Sequence, residues 1–204
     1  MNGELRFRSL SHFKQIEDGA VRGDAMEGSI SYKPEAGLVM HRQRLGNTSA
    51  FPGGVFHSGV KTEEVFILCA SNHMSDELQT CFNAKACVQI MRQTNFRQRI
   101  LYELPRTATF LDKPVDYYSP AEEPGARWAL PELITFSKTN SYAWQDEYRY
   151  AFSLTDALKY GSTSQQVVIP NQPPGNAMPP PPPAAQHHDI KVKALGSICN
   201  LHIF

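Results

Sequence analysis

Trp144-Gln145-Asp146-Glu147-Tyr148-Arg149-Tyr150-Ala151-Phe152 is the most β-prone stretch of the 204-residue chain, dense in aromatic residues and carrying three charges. At a period of two, Trp144, Asp146, Tyr148, Tyr150 and Phe152 share one face, and Gln145, Glu147 and Arg149 share the other. The aromatics then belong to a core, while Glu147 and Arg149 point the same way. Their face is either solvated, as charged strand faces usually are, or it lines a cleft in which Glu147 pairs with Arg149 or with Arg8. Asp146 is the anomaly, because alternation turns it into the aromatic face, where burial would demand a partner.

Working outward, Glu4 to Ser9 alternates polar and apolar, giving a first strand with Arg6 and Arg8 on one face and Leu5 and Phe7 on the other. A two-turn helix should follow, capped by Ser11, with Leu10, Phe13 and Ile16 at helical spacing and Gly19 as its stop. The Gly- and Asp-rich connection to Ser31 leads to a strand at Ile30 to Tyr32, and residues 33 to 61 read as a hairpin plus a long loop. Val65 to Ala70 is apolar on both faces, as in a central strand covered on both sides. Ser75 opens a short helix through Phe82, and Ala86 to Met91 is a second buried strand.

Further strands are expected at Phe96 to Leu104, Leu133 to Ser137, Gln166 to Ile169 and Asp189 to Ala194, with a Pro-rich loop over 112 to 131. A turn or short helix from Leu154 ends at Gly161. Strands and short helices without regular βαβ alternation define an α+β domain on a mixed or antiparallel sheet, one domain over 1–204. Eight of the fifteen prolines fall between Pro170 and Pro183, so 170–186 reads as an exposed polyproline II insert, either a tolerated loop or a ligand for a partner.

Lys+Arg and Asp+Glu number 20 each, which argues against a partner held by long-range electrostatics such as bulk duplex DNA or an anionic membrane. No apolar run reaches the ~18 residues of a span and MNGELRFRSL has no apolar signal core, so the expected compartment is the cytoplasm. Cys69, Cys81, Cys87 and Cys199 form no CxxC pair, and Cys69 and Cys87 sit in apolar runs where a thiol packs as a small hydrophobe. Neither GxGxxG nor GxxxxGK[ST] is present. Adjacent side chains of His187 and His188 diverge on an extended chain and no further ligand lies nearby, so no metal is expected. Ser71 and Ser75 neighbour His73, but there is no GxSxG elbow and no visible acid to orient the imidazole. Arg92, Arg97 and Arg99 around Phe96 could contact nucleic acid, or form a solvated face.

Phe7-Arg8-Ser9-Leu10 before a helix, Asp24-Ala25-Met26-Glu27-Gly28 and Trp144-Gln145-Asp146-Glu147-Tyr148-Arg149 resemble a widespread family of uncharacterised bacterial domains with D-x-x-E-G and W-x-x-E-Y-R segments. A second, weaker resemblance is to ADP-ribosyltransferases, in which a first-strand Arg or His, a central-strand Ser or Tyr and a late-strand Glu surround NAD. It implies NAD as substrate, Glu147 and Gln145 at the catalytic position, and Arg8, Ser71 and His12 around the cofactor. It further implies a role in bacterial stress, toxicity or phage defence. The alternative is a non-catalytic module whose cleft recognises a nucleotide, nucleic acid or protein, with the three arginines contributing. What separates the two is whether Glu147 and Arg8 face one concave pocket. Read as a surface change, Glu147→Gln is expected to spare the fold.

Replacing Pro173 to Ala185 with a short Gly/Ser linker is expected to leave the melting temperature nearly unchanged, since loop length enters closure entropy only logarithmically. Thermal denaturation followed by circular dichroism checks this, and a fall of many degrees would show that the insert packs.

Overall fold

The computed structural model describes residues 3–16, 21, 23–42, 44, 46–170 and 186–204. From the N-terminus, β1 (Gly3–Ser9) runs into α1 (Leu10–Gln15), followed by β2 (Ser29–Tyr32), β3 (Leu38–Arg42), β4 (Asn47–Phe51), β5 (Val55–Gly59) and β6 (Phe66–Ser71). Next come α2 (Asp76–Phe82), β7 (Ala86–Ile90), α3 (Gln93–Glu103), β8 (Thr109–Pro114), β9 (Asp116–Tyr118), α4 (Pro131–Thr135) and β10 (Ser137–Thr139). The chain closes with β11 (Glu147–Ser153), β12 (Ser164–Val168), β13 (His187–Val192) and β14 (Cys199–Ile203).

This is an α+β fold on a five-stranded antiparallel sheet of order β13-β1-β6-β11-β8. Smaller sheets surround it: β12-β5-β2, the β3-β4 hairpin, the β14-β7 ribbon and the parallel pair β10-β9. One face of the main sheet carries Phe7, Phe66, Tyr150, Phe152, Ile190 and Val192 against Phe96 and Ile100 of α3. Phe152 sits among the rings of Phe7 and Phe66, with centroids 5.1 and 5.3 Å away. The other face packs Ile67 and Ala151 against Leu10, Ile30, Ile134 and Phe136. The sheet is covered on both sides over most of its area, and on central strand β6 Cys69 and Ser71 remain exposed.

Residues opposite one another in an antiparallel ladder share a face. Arg8 lies opposite Ile67, Cys69 opposite Arg149 and Ser71 opposite Glu147. Arg8, Cys69, Ser71, Glu147 and Arg149 therefore project from one face of three adjacent strands. The β1–β6 ladder holds only two pairs, Arg8–Ile67 and Ser9–Phe66. Beyond Arg8 the two strands part, and the gap leaves Leu68 to Ser71 unpaired on the β1 side.

Several expectations need correction. Phe96 to Leu104 is a helix: Phe96, Ile100 and Leu104 recur every four residues and are the buried ones. The 112–131 stretch holds the end of β8, all of β9 and a 3₁₀ turn at Gly125–Trp128, while Pro131 starts α4 where a strand was expected, its missing N–H harmless in a first turn. α1 ends at Gln15 and follows Ser9 rather than Ser11, and Gly19 lies outside the described residues. The late strand begins at Glu147, because Asn140–Gln145 forms a 3₁₀ turn that Asp146 closes in the left-handed region at φ 40°. Residues 33–61 hold a hairpin and a further strand. Most of the proline insert, residues 171–185, lies outside the described residues. Among the described residues no helix is long and apolar enough to cross a membrane.

Candidate functional site

The parting of β1 from β6 opens a cleft of about 500 Å³. Arg6, Arg8, His12 and Phe13 form one wall, Leu68 to Ser71 with Phe82 the other, and Glu27, Lys138, Gln145 and Glu147 the floor. Every residue assigned from sequence to catalysis or cofactor binding, namely Glu147, Gln145, Arg8, Ser71 and His12, lines this one cavity.

Its floor is a buried ionic network centred on Arg149, which is 0% exposed. Arg149 Nε donates to Glu147 Oε1 at 2.6 Å and Nη2 to Glu147 Oε2 at 3.3 Å. Nη1 and Nη2 donate to Glu27 Oε1 and Oε2 at 2.7 and 2.9 Å, and Nη1 also reaches the Thr135 carbonyl at 2.6 Å. All five guanidinium N–H groups are thereby used. Lys138 Nζ donates to Gln145 Oε1 at 2.8 Å and Glu147 Oε2 at 3.0 Å, lies 4.0 Å from Glu27 Oε2, and sits 4.7 Å from the Tyr142 ring centroid. Gln145 Nε2 donates to the Val21 carbonyl at 2.8 Å.

Local sequence explains how these groups are delivered. Asp24 Oδ1 accepts from the Met26 N–H at 2.8 Å and the Glu27 N–H bonds the Asp24 carbonyl at 3.0 Å, forming a turn that presents Glu27 to Arg149. Gly28 leaves that turn at φ +66°, where a Cβ would lie 2.9 Å from both Leu10 Cδ1 and Thr62 Cγ2. The D-x-x-E-G segment is thus an acidic turn followed by a residue that must lack a side chain. The Tyr117 hydroxyl accepts the Glu147 N–H at 2.9 Å, fixing the start of β11.

Burial would raise the Glu147 pKa, but Arg149 and Lys138 outweigh it and hold the carboxyl at about 2. Burial likewise opposes the Lys138 charge, and Glu147 with Glu27 overcomes it, so the ammonium is held on. Burial, then the neighbouring Glu147 charge, pushes the Cys69 thiol up, although the residue opens onto the cleft. Burial and then Arg8 lower His12, so its imidazole is neutral at pH 7. Arg6 is paired with Asp189 at 2.8 Å, whereas the Arg8 side chain has no ion pair or hydrogen bond among the described residues.

The solvated reading of the Glu147–Arg149 face is therefore wrong, since both residues are buried and paired with each other. Cys69 is not a core thiol, because the unpaired edge of β6 exposes it, and Cys87 is half-buried. Asp146 does not enter the aromatic core; it is about half exposed and paired with His73 at 2.9 Å. Arg92, Arg97 and Arg99 do not reach the cleft. Arg92 precedes α3, Arg97 bonds Asp112 at 2.6 Å, and Arg99 clasps the Lys193 and Ala194 carbonyls and Ser197 Oγ. His187 and His188 diverge, with His188 packed on Phe66 and Phe152, and no group of three or more His, Cys, Asp or Glu among the described residues could hold a metal. Glu27 and Lys138 were missed. Only the D-x-x-E-G segment flagged the first, and nothing around Lys138 marks the second. No family model, curated protein or solved structure matches the chain.

Glu147→Gln is expected to destabilise the fold by about 3 to 5 kcal/mol, the usual cost of removing one partner from a buried ion pair, measured by urea denaturation at pH 7. Because the folded pKa is depressed, the Glu147 contribution is fully present above the unfolded value of 4.5 and is lost as pH falls toward about 2. Wild-type stability should drop across that window, and the drop should shrink in the variant.

Proposed function

We propose that the cleft is a nucleotide site of the ADP-ribosyltransferase type, taking NAD as substrate in a cytoplasmic setting and passing its ADP-ribose to a protein, nucleic-acid or water acceptor. The observation that carries this reading is the convergence of Arg8, Ser71 and Glu147, from three neighbouring strands, on one face and one cavity. At about 500 Å³ the cavity falls within the roughly 300–1,000 Å³ of small-molecule sites. Arg8, with no partner among the described residues, is the group to hold pyrophosphate. Phe13, Phe82, Ile16 and Leu68 offer the apolar walls that a flat base or nicotinamide ring needs.

In the reaction the bond from ribose C1′ to the nicotinamide nitrogen breaks, its electron pair leaves with neutral nicotinamide, and the ribose becomes oxocarbenium-like. The acceptor's oxygen or nitrogen then bonds C1′ and gives up its proton. An ionised Glu147 at the cavity floor supplies negative charge toward the forming cation, and being held by Arg149 and Lys138 it needs no reorganisation. Gln145 is placed beside it by Lys138 and the Val21 carbonyl.

The same contacts favour a second reading, binding without cleavage, because both Glu147 oxygens already accept from Arg149 and Lys138. Release of nicotinamide from NAD by the purified protein separates the two. Calorimetry is expected to detect ADP-ribose and NAD, and Arg8→Ala is expected to weaken both roughly 10- to 100-fold, the worth of a charge-assisted contact, with an unchanged melting temperature without ligand. Failure of both ligands to bind at millimolar concentration, or binding of short RNA alone that depends on Arg92, Arg97 and Arg99, overturns the nucleotide reading.

A further inference from the structure

Beside the cleft, where β6 ends and β11 begins, stands a second constellation that the nucleotide reading does not use. His73 Nδ1 lies 2.9 Å from Asp146 Oδ2. The other carboxylate oxygen, Oδ1, accepts from Asn72 Nδ2 at 3.0 Å. Asn72 also grips the Asp146 backbone, its Nδ2 and its own N–H donating to the Asp146 carbonyl at 3.1 and 2.9 Å. The hydroxyl of Ser71 ties the same corner to the cleft wall, donating to the Gln145 carbonyl at 2.8 Å. Both carboxylate oxygens thus have assigned donors, and one of those donors is an imidazole.

Asp146 holds this position at φ 40° and ψ 56°, a left-handed conformation that is uncommon for a residue with a side chain. The cost is offset locally by Asn72 and by the closing hydrogen bond of the preceding 3₁₀ turn, from Asp146 N–H to the Ala143 carbonyl at 3.1 Å. Side-chain alternation is kept from Gln145 to Glu147. Those two line the cleft, while the residue between them turns outward to His73. Asp146 and His73 are each about half exposed, with side-chain exposures of 49% and 47%, so the pair stands in water, and the chain neighbours of Asp146, Gln145 and Glu147, are cavity-lining residues.

An imidazole whose Nδ1–H is given to a carboxylate presents Nε2 as a lone-pair base. Among the described residues His73 Nε2 has no hydrogen-bond partner. We propose that His73, oriented by Asp146, is the general base that takes the proton from the ADP-ribose acceptor. This rests on the NAD reading above and assigns the acceptor's side of that reaction. As C1′ leaves nicotinamide and bonds the incoming oxygen or nitrogen, the acceptor proton passes to His73 Nε2 and the imidazolium is paired with Asp146, which stays ionised. Its ionisation is supported by the lowering of the Asp146 carboxyl by Asn72 and His73. The acceptor class that fits is one that arrives from solution and carries a removable proton, a hydroxyl, an amine or water, since the dyad lies outside the cavity that takes the dinucleotide.

The test follows ADP-ribose transfer and hydrolysis in wild type, His73→Ala and Asp146→Asn, alongside ADP-ribose affinity by calorimetry and melting temperature. His73→Ala is expected to lower turnover about 10²-fold, the lower end of general-base contributions, with affinity and melting temperature unchanged, and added imidazole should restore part of the rate. Asp146→Asn keeps a residue that tolerates the left-handed backbone, and is expected to lower kcat while leaving KM for NAD unchanged. Unchanged turnover in His73→Ala overturns the dyad and leaves the NAD reading standing. So does a loss of turnover that imidazole does not restore, or one accompanied by loss of binding or stability, because each makes His73 structural. A wild-type protein that releases no nicotinamide removes the NAD reading and the dyad together.

Discussion

A guanidinium without water must find every hydrogen bond inside the protein, and the placement of Arg149 in the middle of a sheet covered on both faces imposes that demand on the rest of the chain. Its five donors are met by a carboxylate two residues away on the same strand, a carboxylate from the turn after α1 and a carbonyl at the end of α4. Three segments distant in sequence are thereby fixed to one point. A buried ion pair is weak evidence for stability against an apolar alternative, but losing any member leaves the others charged and unsolvated. The arrangement specifies geometry more than it adds net free energy.

Around that point the fold becomes intelligible. β11 is flanked by β6 and β8, so its aromatic face goes to α3 and its charged face cannot go to solvent. The layer formed by α1, β2 and α4 covers Ile67 and Ala151, but the covering is incomplete where β1 leaves β6. The cleft is what remains: a cavity whose walls are strand edges and whose floor is the ionic network.

The fold class and most strands were legible because alternation is a local signal. Arg6 and Arg8 opposite Leu5 and Phe7, and Glu147 and Arg149 opposite Tyr148 and Tyr150, divide between the faces as period two requires. What local pattern could not give was which face is wet. Charged residues on one side of a strand suggest solvent, and only the identity of the covering layer, which supplies Glu27 and Lys138, reverses that. α3 was misread because a β-favouring aromatic and two β-branched or large apolar residues spaced by four also satisfy alternation over a short window. Arg8, His12, Ser71, Gln145 and Glu147 could be singled out by residue type, but not their convergence on one cavity, and the acid for His73 could not be found. Asp146 is 73 residues away, and period two assigns it to the aromatic face with no sign of the polar partners it meets there.

The electrostatics of the cleft follow from counting charges. Glu27 and Glu147 against Lys138 and Arg149 sum to zero, and Arg6 is matched by Asp189. His12 is neutral at pH 7, kept so by burial and by Arg8 itself. The uncompensated charge among the described lining residues is therefore Arg8. In a cavity with apolar walls a single unpaired cation acts over a longer range than it would in water; on the nucleotide reading proposed above, it is this charge on the β1 wall that would receive the anionic group, with Phe13, Leu68 and Phe82 left for the rest of the molecule. A chain with no net charge can thus present a local cation, because the four charges of the ionic network cancel one another and leave that of Arg8.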